Sequence, residues 1–151
     1  MSNRPQTDPS VYSEHYHIFS SQGNPIDAGG WLQRAAAVSK ILAQDITVRD
    51  IEQKIPVAEV SLLKASGLTR VLGPTEYGGG GQPWNIAYQV IREVAKGDGS
   101  LGMLLGYHLL WSWTANVVGT DQQRDRWQKT ITENNYFIGG KIACSDEHEP
   151  I

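Results

Sequence analysis

Apolar positions recur at helical spacing along most of the chain. Trp31, Ala35, Val38, Leu42 and Ile46 fall at i, i+4, i+7, i+11 and i+15, one face of a helix expected from about Gly30 to Lys54. Pro56 enforces its end. A second helix, VAEVSLLKASG, turns Val57, Val60, Leu62 and Leu63 inward and stops at Gly67. LTRVLGP reads as a short extended or irregular link, and TEYGGGGQPWN as a loop. Pro83 suits the first turn of a third helix, which reaches about Lys96 and buries Ile86, Val90, Val94 and Trp84. A fourth helix runs from Gly99 to Val118 and ends at Gly119. Thr120 then opens a fifth with a capping-box pattern, Gln123 standing three residues after the cap. This last helix reaches about Glu133 and is polar except for Trp127 and Ile131, so it belongs on the surface. YFIGGKIAC switches to a β-like run. The pattern predicts an all-α body, with a β segment starting at the C-terminal end.

The fourth helix stands out because no Asp, Glu, Lys or Arg lies between Asp98 and Asp121. Such a length can span a bilayer. Gly99, Ser100, Tyr107, His108, Ser112, Trp113, Thr114 and Asn116 make it too polar for a lone span. It is better read as a central helix covered on all sides by other helices. His108, Ser112 and Asn116 form a polar stripe at i, i+4, i+8, and Met103, Tyr107 and Trp111 form a column beside it. Gly99, Gly102 and Gly106 let another element approach the backbone. A buried polar stripe needs partners. On spacing alone, neighbouring backbone and side chains are the plainer choice, and a cofactor or substrate wall the sharper one.

Composition narrows the classes. The chain has 151 residues and a net charge of −3, which suits one domain that is nearly neutral. Its 13 Lys and Arg are scattered, so neither nucleic acid nor an anionic membrane is an expected partner. Cys144 is the lone cysteine, and with no apolar signal or transit pattern at the N-terminus a cytoplasmic location is expected. Residues 1–27, rich in Pro, Ser, Gln and Gly, read as a flexible tail or one draped over a partner. The four glycines Gly78 to Gly81 precede a helix but lack both the strand–GxGxxG context and the P-loop lysine, so a loop needing positive φ is the plainer reading. No His, Cys or carboxylate spacing suggests a metal site, and no catalytic pair or nucleophile is identified.

The order of the motifs says more than any one of them. GPTEYGGGG, IREVAKGDGSLGMLLGYHLL, GTDQQRDRW and NNYFIGG in succession resemble the N-terminal helical domain of the acyl-CoA dehydrogenase superfamily. The matching positions are Pro74, Glu76, Tyr77, Gly78, Gly79, Asp98, Ser100, Leu101, Gly119 and Gln123, within a resemblance spanning roughly Trp31 to Asp146. GDGSLGMLLGYHL looks closest to the flavin-dependent monooxygenase branch, the group of dibenzothiophene and related sulfur-compound oxygenases. After the tail read from composition over 1–27, the resemblance implies the helical domain over 28–135 and the truncated start of a middle β domain over 136–151. It implies that Met103, Tyr107, His108, Trp111, Gly140 and Ser145 line a flavin or substrate pocket. The cofactor it implies is FMN or FAD, and the partners are a small-molecule substrate, a separate flavin reductase and further copies of the complete protein. The expected reaction is oxygenation of a small sulfur-containing or aromatic substrate. Acyl-CoA dehydrogenation with FAD, or a non-catalytic helical module, are the alternatives. The chain departs from the branch at Met103, where some members carry a pocket histidine, and at Gly139-Gly140, where an asparagine can stand.

Overall fold

The computed structural model describes residues 5–139, and among them the chain forms seven α-helices and no extended strand. In chain order these are α1 (Ser13–Gln22), α2 (Ala28–Ala43), α3 (Ile46–Glu52), α4 (Val57–Ala65), α5 (Trp84–Gly97), α6 (Gly99–Val118) and α7 (Asp121–Asn134). Short 3-10 turns occupy Leu68–Arg70 and Thr75–Tyr77. α2 packs on α5, α5 on α6, and α6 on α7, while α1 lies against α4. Trp31, Val38, Leu42, Leu62, Leu105 and Leu109 are fully buried where these layers meet. None of the described helices is long and apolar enough to cross a membrane.

Glycine sets how closely the layers approach. A Cβ on Gly102 would stand 2.5 Å from the Cβ of Ala95, and one on Gly97 would stand 2.1 Å from the Ser39 carbonyl oxygen. α5 can therefore meet both α6 and α2 backbone to backbone. Of the three α6 glycines that the sequence marks for close approach, only Gly102 is used this way: Gly106 meets Ile91 at ordinary contact distance, and Gly99 faces open space.

The single helix expected over 30–54 is instead two. The break falls at Gln44-Asp45, where side chains outbid the backbone. Asp45 accepts from the Arg49 guanidinium and from the Tyr12 hydroxyl (3.0 Å), while Arg49 Nη2 donates to the Leu42 carbonyl at 2.7 Å and satisfies the end of α2. Beyond the break the apolar stripe fails, and α3 buries none of its residues.

The N-terminal stretch expected as a tail is also structured from Pro5 onward. Tyr12 and Phe19 are buried, and the Tyr16 hydroxyl donates to the Ala58 carbonyl at 2.8 Å. Thr7 Oγ1 donates to Glu59 at 2.9 Å and accepts from the Ala58 N–H at 2.9 Å. Two or three well-placed aromatics and hydroxyls hold a segment whose average composition is that of a loop. The capping box at the start of α7 forms as its sequence predicts, with Thr120 accepting from the Gln123 N–H and Gln123 accepting in return from the Thr120 N–H.

Candidate functional site

Helix α6 is the element from which a site is built. Asp98 caps it, accepting from the Leu101 N–H at 3.0 Å, and its other carboxylate oxygen accepts from Arg49 Nη2 at 2.8 Å. Burial works against the charge on Arg49, but its bonds to Asp98 and Tyr12 raise the guanidinium pKa overall. Asp45, Asp98 and the fully buried Glu59 all face this one cation. The N-terminal end of α6 is thus pinned to α3 and α4 by ionic contacts.

The expectation that α6 is covered on all sides is not met. Leu101, Leu105, His108, Leu109 and Ser112 face the core, but Met103, Tyr107, Leu110, Val117 and Val118 are each more than half exposed. Met103, Tyr107, Leu110, Thr114 and Val117 stand at i, i+4, i+7, i+11 and i+14, one face of the helix. The helix is uncharged because it has two apolar faces, one against its own bundle and one open. Monomeric proteins seldom leave such a strip bare without a use for it. At its middle stands the Tyr107 hydroxyl, with no hydrogen-bond partner among the described residues.

His108 does not join that face. It is fully buried, its Nε2 lies 2.8 Å from the Thr69 carbonyl, and its Nδ1 lies 2.9 Å from the Ile138 N–H. The only tautomer that satisfies both donates from Nε2 and accepts at Nδ1. Its ring stacks on Phe137 at 4.6 Å. Burial pushes the imidazole pKa down, although the Thr69 carbonyl favours its proton. The residue is a neutral clamp between the 3-10 turn and the segment that follows α7. The rest of the polar stripe is satisfied nearby as well: Ser112 Oγ donates to Leu109 O, and Asn116 Oδ1 accepts from Gln128 Nε2.

The glycine loop offers no phosphate cradle. The N–H groups of Gly78, Gly79, Gly80 and Gly81 donate to the carbonyls of Thr75, Pro74, Arg70 and Gly73. Gly78 and Gly81 have positive φ, while a Cβ on Gly79 would lie 2.1 Å from Gly73 O and one on Gly80 2.5 Å from the Trp31 ring. Its donors are spent on folding the loop against Trp31. No cluster of His, Cys, Asp or Glu able to hold a metal occurs among the described residues.

Of the sequence-predicted site residues, Met103 and Tyr107 share the open face, Trp111 sits half-buried at its edge, and His108 lies behind it. Gly140 and Ser145, with most of the predicted β run, lie outside the described residues, and residues 136–139 form no strand. Sequence reading missed Leu110 and Val117. Their signal is present in the spacing from Met103, but a helix read as covered on all sides leaves no open face for them.

Similarity to known proteins runs through most of the chain. Residues 33–135, more than half the chain, match the family model described as acyl-CoA dehydrogenase, N-terminal domain. Dibenzothiophene monooxygenase of Rhodococcus erythropolis is 41% identical over 91 residues, 60% of this chain and 22% of that protein. Dibenzothiophene monooxygenase of Mycolicibacterium goodii is 34% identical over 129 residues, 85% of this chain and 30% of that protein. A probable FMNH2-dependent monooxygenase, SfnC, of Pseudomonas putida is 30% identical over 104 residues, 69% of this chain and 26% of that protein. The chain therefore spans between a fifth and a third of the length of these relatives.

Proposed function

This chain belongs to the acyl-CoA dehydrogenase family through its N-terminal domain, and from that premise we propose that it is the N-terminal helical part of a reduced-flavin monooxygenase acting on a small sulfur-containing or aromatic substrate. The open strip of α6 forms one wall of the flavin and substrate cavity, and residues from 136 onward begin the β domain that closes it. The observation that carries this reading is the uncharged, exposed face of Met103, Tyr107 and Leu110 with one unengaged hydroxyl at its centre. Relatives named as dibenzothiophene and FMNH2-dependent monooxygenases support it.

The residues present fit part of a flavin. An apolar wall with a single unengaged hydroxyl suits a ring system and a neutral aromatic substrate. The phosphate end finds nothing here, since the glycine loop has no free donors. FMN is the favoured form, on the relative described as FMNH2-dependent. Bound there, reduced flavin supplies the electrons that activate oxygen. This chain's own residues supply the apolar wall and present the Tyr107 hydroxyl on it. The described chain brings no acid or base to that face: His108 is neutral with both nitrogens engaged.

The test uses the polypeptide that carries this chain together with its β and second helical domains. It is supplied with FMN, a flavin reductase and dibenzothiophene under labelled oxygen. Incorporation of labelled oxygen at sulfur is expected. Bleaching of a tightly bound FAD by acyl-CoA, with no oxygen incorporation, refutes the proposal in favour of dehydrogenation.

A further inference from the structure

The open strip of α6 has a second side, and it belongs to α5. Three contacts fix how the two helices meet. Gly102 lies against Ala95, Gly106 against Ile91, and Trp113 against Trp84, edge-on with ring centroids 6.2 Å apart. Each step up α6 is matched by an equal step down α5, so the helices are antiparallel and Leu109 and Leu110 stand opposite Tyr88 and Ala87. At that level Ala87 and Leu109 are fully buried, while Tyr88 is 59% and Leu110 53% exposed. The seam therefore has an inner side in the core and an outer side on which Tyr88 lies next to Leu110. Tyr107 stands three residues before Leu110 on the same face of α6. Tyr88, Leu110 and Tyr107 thus border one apolar surface that crosses from α5 to α6.

Tyr88 is a braced ring. Its centroid lies 5.2 Å from that of Trp84 at an interplanar angle of 38°, and Trp113 meets Trp84 from the other helix at 88°. A side chain already held by its neighbours has less rotamer freedom to lose when a ligand lands on it. Its free ring face is apolar area still in water, and a second ring laid there gains more than its area alone provides. Charge is kept off this surface. α6 carries none between Asp98 and Asp121, and the next charge along α5, Arg92, lines a separate hollow with Leu32, Gln89, Glu93 and Lys96. Tyr88 and Tyr107 differ in level by two residues, about 3 Å of rise, on helices roughly 8–10 Å apart. That span suits two or three fused rings.

We infer that Tyr88 is a specificity-determining residue of the site on α6: it stacks on one end of a planar, neutral, fused-ring aromatic whose other end lies at Tyr107, and so selects such molecules over aliphatic ones of similar size. This rests on the reading of the strip as a substrate wall; it adds α5 as a second wall and narrows the substrate class to fused-ring aromatics.

The test is nuclear magnetic resonance of the labelled 151-residue chain, without flavin, titrated with 2-naphthol and with decahydro-2-naphthol. The two share a carbon skeleton and a hydroxyl, but the saturated one is puckered and cannot stack. 2-Naphthol is expected to shift the ring signals of Tyr88 and Tyr107 together and to show a nuclear Overhauser contact with the Tyr88 ring. It is expected to bind about 2- to 12-fold more tightly than the saturated compound. Tyr88→Leu keeps an apolar side chain and removes the ring. It is expected to abolish that preference while leaving urea unfolding and the affinity for decahydro-2-naphthol unchanged. In the polypeptide with its β and second helical domains, the same variant is expected to raise KM for benzothiophene more than it lowers kcat. The inference is overturned by equal or tighter binding of the saturated compound, by a preference that survives Tyr88→Leu, or by a bound 2-naphthol that makes no contact with Tyr88. The titration needs no turnover, so it decides the role of Tyr88 even where a complete polypeptide that oxygenates no sulfide refutes the monooxygenase reading.

Discussion

Replacing His108 with phenylalanine isolates what the imidazole contributes through its two nitrogens. The new ring is close in size and can keep its stack on Phe137, so the packing change is small. Both hydrogen bonds vanish. Thr69 is 4% exposed, so its carbonyl loses its side-chain partner where water does not reach easily. That costs about 1–3 kcal/mol. The Ile138 N–H is only partly buried, and water can replace the lost acceptor, so its loss costs about 0.5–1.5 kcal/mol. The sum is about 1.5–4.5 kcal/mol, a fall in melting temperature of roughly 3–18 °C for a domain of this size. Urea unfolding followed by tryptophan fluorescence measures the stability. Amide exchange at Ile138 reports on the second bond separately, and should accelerate even at urea concentrations where the fold is intact. A variant that unfolds within about 0.5 kcal/mol of the parent, with Ile138 still protected, would refute the clamp. His108 would then be a residue that packs and does no more.

Lowering the pH should erode the same clamp. Burial holds the folded imidazole pKa below its unfolded value, so the unfolded chain binds the extra proton; the contribution of His108 is full above about pH 6.5 and declines as pH falls below it. The stability gap between the parent and His108→Phe should therefore narrow from pH 7.5 to pH 5, and a constant gap contradicts the assignment. Gly79→Ala, whose Cβ would collide with Gly73 O, should cost at least about 3 kcal/mol, whereas Gly99→Ala, at the open start of α6, should stabilise by about 0.5–1 kcal/mol by thermal unfolding. Arg49→Gln should destabilise by about 3–5 kcal/mol in urea unfolding, because Asp98 and Glu59 stay buried without their cation, and a loss below about 1 kcal/mol would contradict the pinning of α6. Tyr107→Phe should leave unfolding unchanged within about 0.5 kcal/mol and, in the polypeptide with its β domain, lower kcat/KM by roughly 5- to 150-fold; normal turnover would make Tyr107 a wall residue only.

Periodicity carried most of the fold. The stripe from Trp31 to Leu42, the stop at Gly67, the uncharged α6 and the capping box at Thr120 all follow from local spacing and turn chemistry, and the structure contains each. What escaped were features made by partners distant in sequence. The break at Asp45 depends on Arg49 and Tyr12, and the order of residues 5–22 depends on Ala58 and Glu59. Ala87 is buried where Ile86 is only half so, because which face of α5 meets α2 is decided by packing that a single helix does not reveal. The site was half legible. Tyr107 and Met103 could be placed together from their spacing, but whether they faced a neighbour or open space could not. Periodicity reports that a face is apolar, and says nothing of who covers it.

Asp98 closes α5, opens α6 and holds Arg49, so one residue fixes where the count of turns along α6 begins. Each residue added to a helix rotates all that follows by about 100°. A single insertion between Asp98 and Leu101 would carry Met103 and Tyr107 toward the interior and swing Leu105 and Leu109 outward. The same insertion at the exposed Gly23 turn would disturb the bond from Arg34 Nη1 to the Gly23 carbonyl (2.7 Å) but would rotate no helix. Tolerance to length change is therefore uneven along this chain. Descendants of its gene should vary more in length in the connection before α2 and keep the interval from Asp98 to Ser112 constant in length, even where its letters change.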